Sequence, residues 1–335
     1  GSALGDPPSP AGVRGGTLRT KSVVTLVFLL GLAAAVQADP LRICLDFFPN
    51  PNHVPLYVAL EALAAELDVE ILVPGDPSDP VKLAAARAAD VCLTPQMNYL
   101  IARSEGLPLV AVGALIGRGL GGLLALSGGP IASVADLAGK RIGYSLEPLE
   151  PLLWRTMLRC AGVSPNTVQL IPIGFNTVAS LLAGSVDAIG AFRNFEPIEI
   201  DLLGRPGIFF AQEAYCVPET YELLFAVHPD LAAERPDAVR ALLRAVADAV
   251  DATRADPDAA FAAFLRANPD LDDDLDRRAF AASLPLYADG ARHDDAEIWD
   301  VLQTFLAENG IIGGREPIES LYRTDWLPQS EEGET

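Results

Sequence analysis

Between positions 41 and 60 the chain reads L-R-I-C-L-D-F-F-P-N-P-N-H-V-P-L-Y-V-A-L. Phe47, Phe48, Asn50, Asn52, His53 and Tyr57 form a run of aromatic and hydrogen-bonding side chains with no nucleophile–base pair among them. Such groups bind a ligand rather than break its bonds. The alternative stays open at this point: phenylalanines in a core and a Pro/Asn run that is an ordinary turn. Elsewhere the chain has no H-E-x-x-H, no clustered Cys/His ligands and no G-x-S-x-G, and its only lysines are Lys21, Lys82 and Lys140. The glycines of 117–122 match G-x-G-x-x-G, but they lead into the strand-length apolar run 123–126. A dinucleotide turn must instead open a helix, so no cofactor is expected.

The elements that must position these residues alternate. Ile43, Cys44, Leu45 and Phe47 read as a strand, broken by Pro49-Asn50-Pro51-Asn52 and followed by a helix from Pro55. Further strands are expected at 69–73, 90–94 and 109–115, then at 142–145, 168–172 and 187–192, with helices between them. This is the pattern of parallel sheets with helices on their faces, and such sheets bind ligands at their carboxyl edges. From Asp230 onward the chain is helical, over 236–255, 258–267, 277–287 and 295–309. The expected fold class is α/β, with two doubly wound lobes and a hinged ligand cleft between them. The chain is expected to cross between lobes near 124–127 and 221–227. Lobe 1 is then 39–126 plus 222–328, lobe 2 is 127–221, and 329–335 is an acidic tail.

The balance of 24 Lys+Arg against 45 Asp+Glu, a formal net charge of -21, excludes a nucleic-acid surface and suits a monomer. Residues 1–38 read as a tag, a disordered Pro/Gly-rich leader and a Sec signal peptide. Arg19 and Lys21 precede the apolar run 23–35, which ends in the cleavage site Val36-Gln37-Ala38 with no lipobox cysteine after it. The expected location is the periplasm. The four cysteines do not make a disulfide scaffold, and buried free thiols are the expectation.

Several motifs carry a resemblance: Asp46-Phe47-Phe48-Pro49-Asn50-Pro51-Asn52-His53, Ala89-Asp90-Val91-Cys92-Leu93-Thr94-Pro95-Gln96, Glu105-Gly106-Leu107-Pro108, the stretch 137–144, and 187–196 with its Arg193-Asn194-Phe195-Glu196 ending. With these, 41–309 resembles the periplasmic substrate-binding proteins of ABC importers, in the family that includes binding proteins for thiamine pyrimidine precursors. The resemblance implies a type II periplasmic binding protein fold and delivery of a small pyrimidine, such as hydroxymethyl- or formylaminopyrimidine, to an ABC transporter permease. Relatives of this architecture also carry flavin-type molecules, sulfonates and nitrate. The resembling pyrimidine synthase uses a lysine-bound pyridoxal phosphate, a histidine and a cysteine-rich motif. This chain has Thr94, Asn98 and Ala214-Tyr215-Cys216-Val217-Pro218 in their places. Without the amine no imine forms, so a carrier and not an enzyme is expected.

A 4-aminopyrimidine wants aromatic walls and a carboxylate on its amine. The walls are sought among Phe47, Phe48, Tyr57, Tyr144, Tyr215 and Tyr221. Glu196 is the chosen carboxylate, and Asn50, His53, Gln96, Asn194 and Glu222 complete the polar set. His53 can equally cap its own turn, and Glu196 before Pro197 can equally be a helix-start charge. An anion site would want cations, and only Arg118 and Arg193 fall near the expected cleft.

Overall fold

In a computed structural model the described residues are 39–76, 78–174 and 176–328. The tag, leader and signal peptide expected over 1–38, and the tail expected over 329–335, lie outside them.

The strands and helices alternate as expected through the first two-thirds of the chain. In order they are β1 (Leu41–Cys44), α1 (Val54–Leu63), β2 (Val69–Leu72), α2 (Asp79–Ala85), β3 (Val91–Thr94), α3 (Gln96–Ser104), β4 (Val110–Ile116), β5 (Gly121–Leu126), β6 (Arg141–Tyr144), α4 (Leu149–Cys160), β7 (Gln169–Pro172), α5 (Thr177–Leu182), β8 (Ala188–Phe192), α6 (Glu196–Leu202), β9 (Gly207–Ala211) and β10 (Leu223–Val227). Then come α7 (Pro229–Glu234), α8 (Pro236–Ala255), α9 (Pro257–Ala267), α10 (Asp274–Ser283), α11 (Ala296–Glu308) and α12 (Ile318–Leu321). Aspartates at 256, 273 and 295 cap α9, α10 and α11 by accepting backbone N–H bonds that the first helical turn leaves open.

Two five-stranded mixed sheets result, in the orders β2-β1-β3-β10-β4 and β7-β6-β8-β5-β9. They match position for position. In the first, β1 runs parallel to β2 and β3, and β10 lies antiparallel to β3 and β4. In the second, β6 runs parallel to β7 and β8, and β5 lies antiparallel to β8 and β9. The antiparallel strand of each sheet is the one that arrives from the other lobe.

This corrects the place of the first crossing. β5 pairs along its whole length in the second sheet, so 124–127 does not bridge the lobes. The crossing is the glycine-rich 117–120. The glycines after it are required by close approach: a Cβ on Gly122 would stand 2.4 Å from the Phe210 carbonyl oxygen. Sequence patterning marks an apolar run but not which sheet receives it.

The match between lobes extends to side chains. The Asp90 carboxylate accepts from the Arg42 backbone N–H (2.8 Å) and its guanidinium, which also donates to the Ala88 and Arg87 carbonyls. Asp187 accepts from the Arg141 N–H (2.8 Å) and guanidinium, which donates to Ser185 and Gly184. Each clamp ties the central parallel strand of its sheet, β1 or β6, to the loop entering its neighbour, β3 or β8. Asp90→Asn is expected to lower stability by about 1–3 kcal/mol, because it leaves a guanidinium without its charged acceptor. Urea titration checks this, and an unchanged midpoint contradicts it.

The cysteines depart from expectation. Cys160 at the end of α4 and Cys216 are joined in a disulfide, while Cys44 and Cys92 stay free and buried, side by side in the β1–β3 register. The two joined residues lie 56 positions apart, a proximity that no sequence spacing reveals.

Candidate ligand-binding cleft

The carboxyl ends of β1 and β8 meet across the gap between the lobes. Asn194, just after β8, donates through Nδ2 to Asn52 Oδ1 (2.7 Å) and to Ser283 Oγ at the end of α10 (2.8 Å). Glu222, entering β10, accepts the Leu120 N–H of the first crossing (2.8 Å), with Asp46 and Arg193 close enough to act on its charge. Among exposed large apolar side chains, Phe47 (38 %), Phe48 (62 %), Leu146 (39 %) and Phe192 (45 %) all follow or end β1, β6 or β8. Phe47 and Phe48 stand edge to face at 5.1 Å.

On the first-lobe side, the Pro/Asn turn is held by its own side chains. Asn50 Oδ1 accepts the Asn52 N–H (3.0 Å) and its Nδ2 donates to the Phe48 carbonyl (2.9 Å). The Asn50 N–H donates to His53 Nδ1, which puts the ring proton on Nε2, 2.8 Å from Asp46 Oδ1. His53 is fully buried. Asn50 and His53 therefore shape the turn and orient Asp46, an acid that stands in the motif but outside the residues expected to touch ligand. Tyr57 is also corrected. Its ring packs edge to face on Phe264 of α9 at 5.2 Å, inside the first-lobe core. The helical repeat carries position 57 away from the turn and toward the outer helices.

Where the chain crosses back, Gln96 Oε1 accepts from the Thr220 hydroxyl and the Tyr221 N–H, each at 3.0 Å. The Tyr221 ring does not wall the cleft. It lies against Trp299 of α11, its hydroxyl accepts the Asp295 N–H, and burial pushes that hydroxyl up to about 12. Glu222 is pushed up to about 7, first by desolvation, against the Leu120 N–H bond that favours its charged form.

The second-lobe side is acidic. Glu196 opens α6 and accepts the Phe192 N–H at 2.8 Å, so it does hold the helix-start position. Desolvation, opposed by that hydrogen bond and helped by Glu199 and Glu150, raises its carboxyl to about 7. Glu150 and Glu199 are raised as well, in both cases chiefly by burial. Glu150 accepts the Ser145 N–H at 2.6 Å. Tyr144 ends β6, is nearly buried, and donates to Glu147. Tyr215 lies edge to face with Phe210, beside the disulfide. Arg193 is paired with Glu213 at 2.6 Å.

Buried polar atoms without a partner gather here. Among the described residues they include Gln96 Nε2, Arg193 Nε, Asn194 Oδ1, Gln212 Oε1 and Glu213 Oε2. Gln212 abuts 119–121 and Thr220 abuts Gly119, so these atoms surround the two crossings. A buried polar atom left without a bond is costly, and a ligand or water in the cleft would satisfy it. Two grooves on the outside of the first lobe lack this convergence. One, between α1 and α8, is lined by Val58, Ala62, Ala245 and Ala249. The other holds Arg42, Arg87 and Arg235, which already pair with Asp90 and Glu234. The sequence reading missed Asp46, Glu150, Phe192, Gln212 and Ser283. Asp46 and Phe192 were legible as strand-end residues; Gln212 and Ser283 carry no local signal.

Known proteins resemble this chain in sequence and in fold. The NMT1/THI5 like family model matches residues 50–260. A Haemophilus influenzae protein named for thiamine biosynthesis is 36% identical over 85% of this chain and 93% of its own. The formylaminopyrimidine-binding protein of Halalkalibacterium halodurans is 30% identical, covering 87% of each chain. A Legionella pneumophila 4-amino-5-hydroxymethyl-2-methylpyrimidine phosphate synthase is 25% identical over 89% of this chain and 96% of its own. In fold, the chain is similar to the periplasmic aliphatic sulphonate binding protein SsuA from Escherichia coli, with a TM-score of 0.68, 17% identity, and coverage of 88% and 96% of the two chains.

Proposed function

Because the chain belongs to the NMT1/THI5 like family, we propose that it is an extracytoplasmic binding protein that closes its two lobes on a thiamine-pathway aminopyrimidine and passes it to an ABC permease. The observation that carries this reading is the acidic edge of the second lobe. Glu196, held near neutrality beside Glu150 and Glu199, suits a flat base with an amine and a basic ring nitrogen. An anionic solute would face this acidic edge, while the cleft's Arg193 already shares its charge with Glu213 and keeps only its Nε without a partner. Sulfonate binding is therefore the weaker reading, although it occurs on this fold. The Cys160–Cys216 disulfide supports export to an oxidising compartment.

Phe47 and Phe48 from one lobe and Phe192 from the other serve as the aromatic walls. Phe192→Ala is expected to weaken pyrimidine binding fivefold or more, since stacking on a base is worth roughly 1–3 kcal/mol. Calorimetry reads the change, and equal affinity removes Phe192 from the wall. A thermal-shift screen tests the reading as a whole, because a tight ligand raises the melting temperature by mass action. Stabilisation by 4-amino-5-hydroxymethyl-2-methylpyrimidine and not by taurine or nitrate is expected. The reverse order overturns it.

A further inference from the structure

Asn194 is buried (3 % exposed), and the two ends of its amide are in different situations. Nδ2 bonds to Asn52 and Ser283, both in the other lobe. Oδ1 has no partner. The orientation is fixed: the Ser283 hydroxyl donates its proton to the Ala279 carbonyl (2.7 Å), so it can only accept from Asn194. The same hydroxyl lies 3.3 Å from Asn52 Oδ1, closing a partly buried polar triangle. At the rim on this side lies a further polar interlobe tie, the exposed Arg278–Asp201 pair between α10 and α6. An exposed pair of that kind contributes little, whereas a buried amide nitrogen bonded to two acceptors does much more.

We propose that Asn194 couples ligand contact to lobe closure, its Nδ2 latching the second lobe to Asn52 and Ser283 while its Oδ1 accepts a hydrogen bond from the bound ligand. This rests on the binding reading above. A ligand donor on Oδ1 fixes the amide in the orientation that the latch needs, and the formed latch in turn presents Oδ1 to the ligand. Such mutual support appears mainly in the rate of release. Asn52 and Ser283 are positioning residues, since they act through Asn194.

The test measures release of 4-amino-5-hydroxymethyl-2-methylpyrimidine by stopped flow and compaction by small-angle scattering. Asn194→Asp keeps the shape and an oxygen for the ligand but turns the latch donor into an acceptor facing two acceptors. It is expected to speed dissociation tenfold or more, with association within about threefold, and to leave the ligand-saturated protein less compact. Ser283→Ala, which adds no buried charge, is expected to speed dissociation at least threefold, with rescue by Ser283→Thr. Arg278→Ala is expected to stay within twofold. Wild-type dissociation and compaction in both Asn194→Asp and Ser283→Ala overturn the latch. Should wild type bind no pyrimidine at all, the ligand reading fails by itself. Hydrogen exchange on the ligand-free protein then decides the latch: faster exchange at 50–53 and 280–283 in Asn194→Asp supports it, and unchanged exchange overturns it.

Discussion

Affinity for a 4-aminopyrimidine is expected to fall about tenfold for each unit that the pH rises above 7, and Glu196→Gln to reduce that slope to the background set by Glu222. Glu196 Oε2 accepts the Phe192 N–H, which leaves Oε1 for a ring nitrogen and a second lone pair on Oε2 for the amine. The complex then holds one proton between carboxyl and ring, whichever of them carries it. Glu196 in the free protein loses its proton at about pH 7. Above that pH both free partners lack the proton, so binding must take one up, and the affinity falls with unit slope. Burial, helped by the neighbouring Glu199 and Glu150, keeps its acid form favoured, while the Phe192 N–H and its own backbone N–H oppose them. Glu222, also near 7, faces Asp46 and Arg193 instead, so its own titration survives in Glu196→Gln and must be read as the background. At pH 7 the substitution is expected to weaken binding about tenfold, by loss of a charge-assisted bond worth about 1.5–3 kcal/mol. Calorimetric titrations from pH 6 to 9 check this. A flat wild-type profile, or the same slope in Glu196→Gln, removes Glu196 from the ligand's amine edge.

Cutting the Cys160–Cys216 bond is expected to destabilise the protein by about 2–4 kcal/mol, since a long closed loop restricts the unfolded chain. The bond also ties the start of the second crossing to α4 of the second lobe, so Cys160→Ser is expected to loosen 212–222 locally. Urea midpoints for wild type with and without reductant, and for Cys160→Ser, read the effect. Alkylation of the unfolded, unreduced protein is expected to modify Cys44 and Cys92 alone. Four modified cysteines, or a midpoint indifferent to reductant, would contradict the pairing.

Much of this molecule was legible in its residues because local patterns carry the information. Four-residue apolar runs marked the strands, and α8 spans the expected 236–255, whereas α10 lies over 274–283 rather than the expected 277–287. What failed depended on long-range pairing. Nothing in L-L-A-L at 123–126 says which sheet it enters, so the first crossing was placed one strand late. Nothing near Cys160 points to Cys216. Tyr57 and Tyr221 share the composition of a binding wall, yet their rings fill core spaces against Phe264 and Trp299. Glu196 shows the opposite case. It occupies the bland helix-start position, and its burial in the fold, helped by two neighbouring acids, raises its carboxyl toward neutrality. The duplicated Arg–Asp clamps were present as R-I after positions 41 and 140 and as Asp90 and Asp187. They became meaningful only when the two sheets proved to have matching strand orders.

The most direct measurement is a proton count. Titrating 4-amino-5-hydroxymethyl-2-methylpyrimidine into the protein at pH 8, in two buffers of different ionisation enthalpy, yields the number of protons that cross on binding. A planar base gripped on its amine edge by Glu196 requires uptake of close to one proton. Binding with none taken up, or no heat of binding at all, would contradict it.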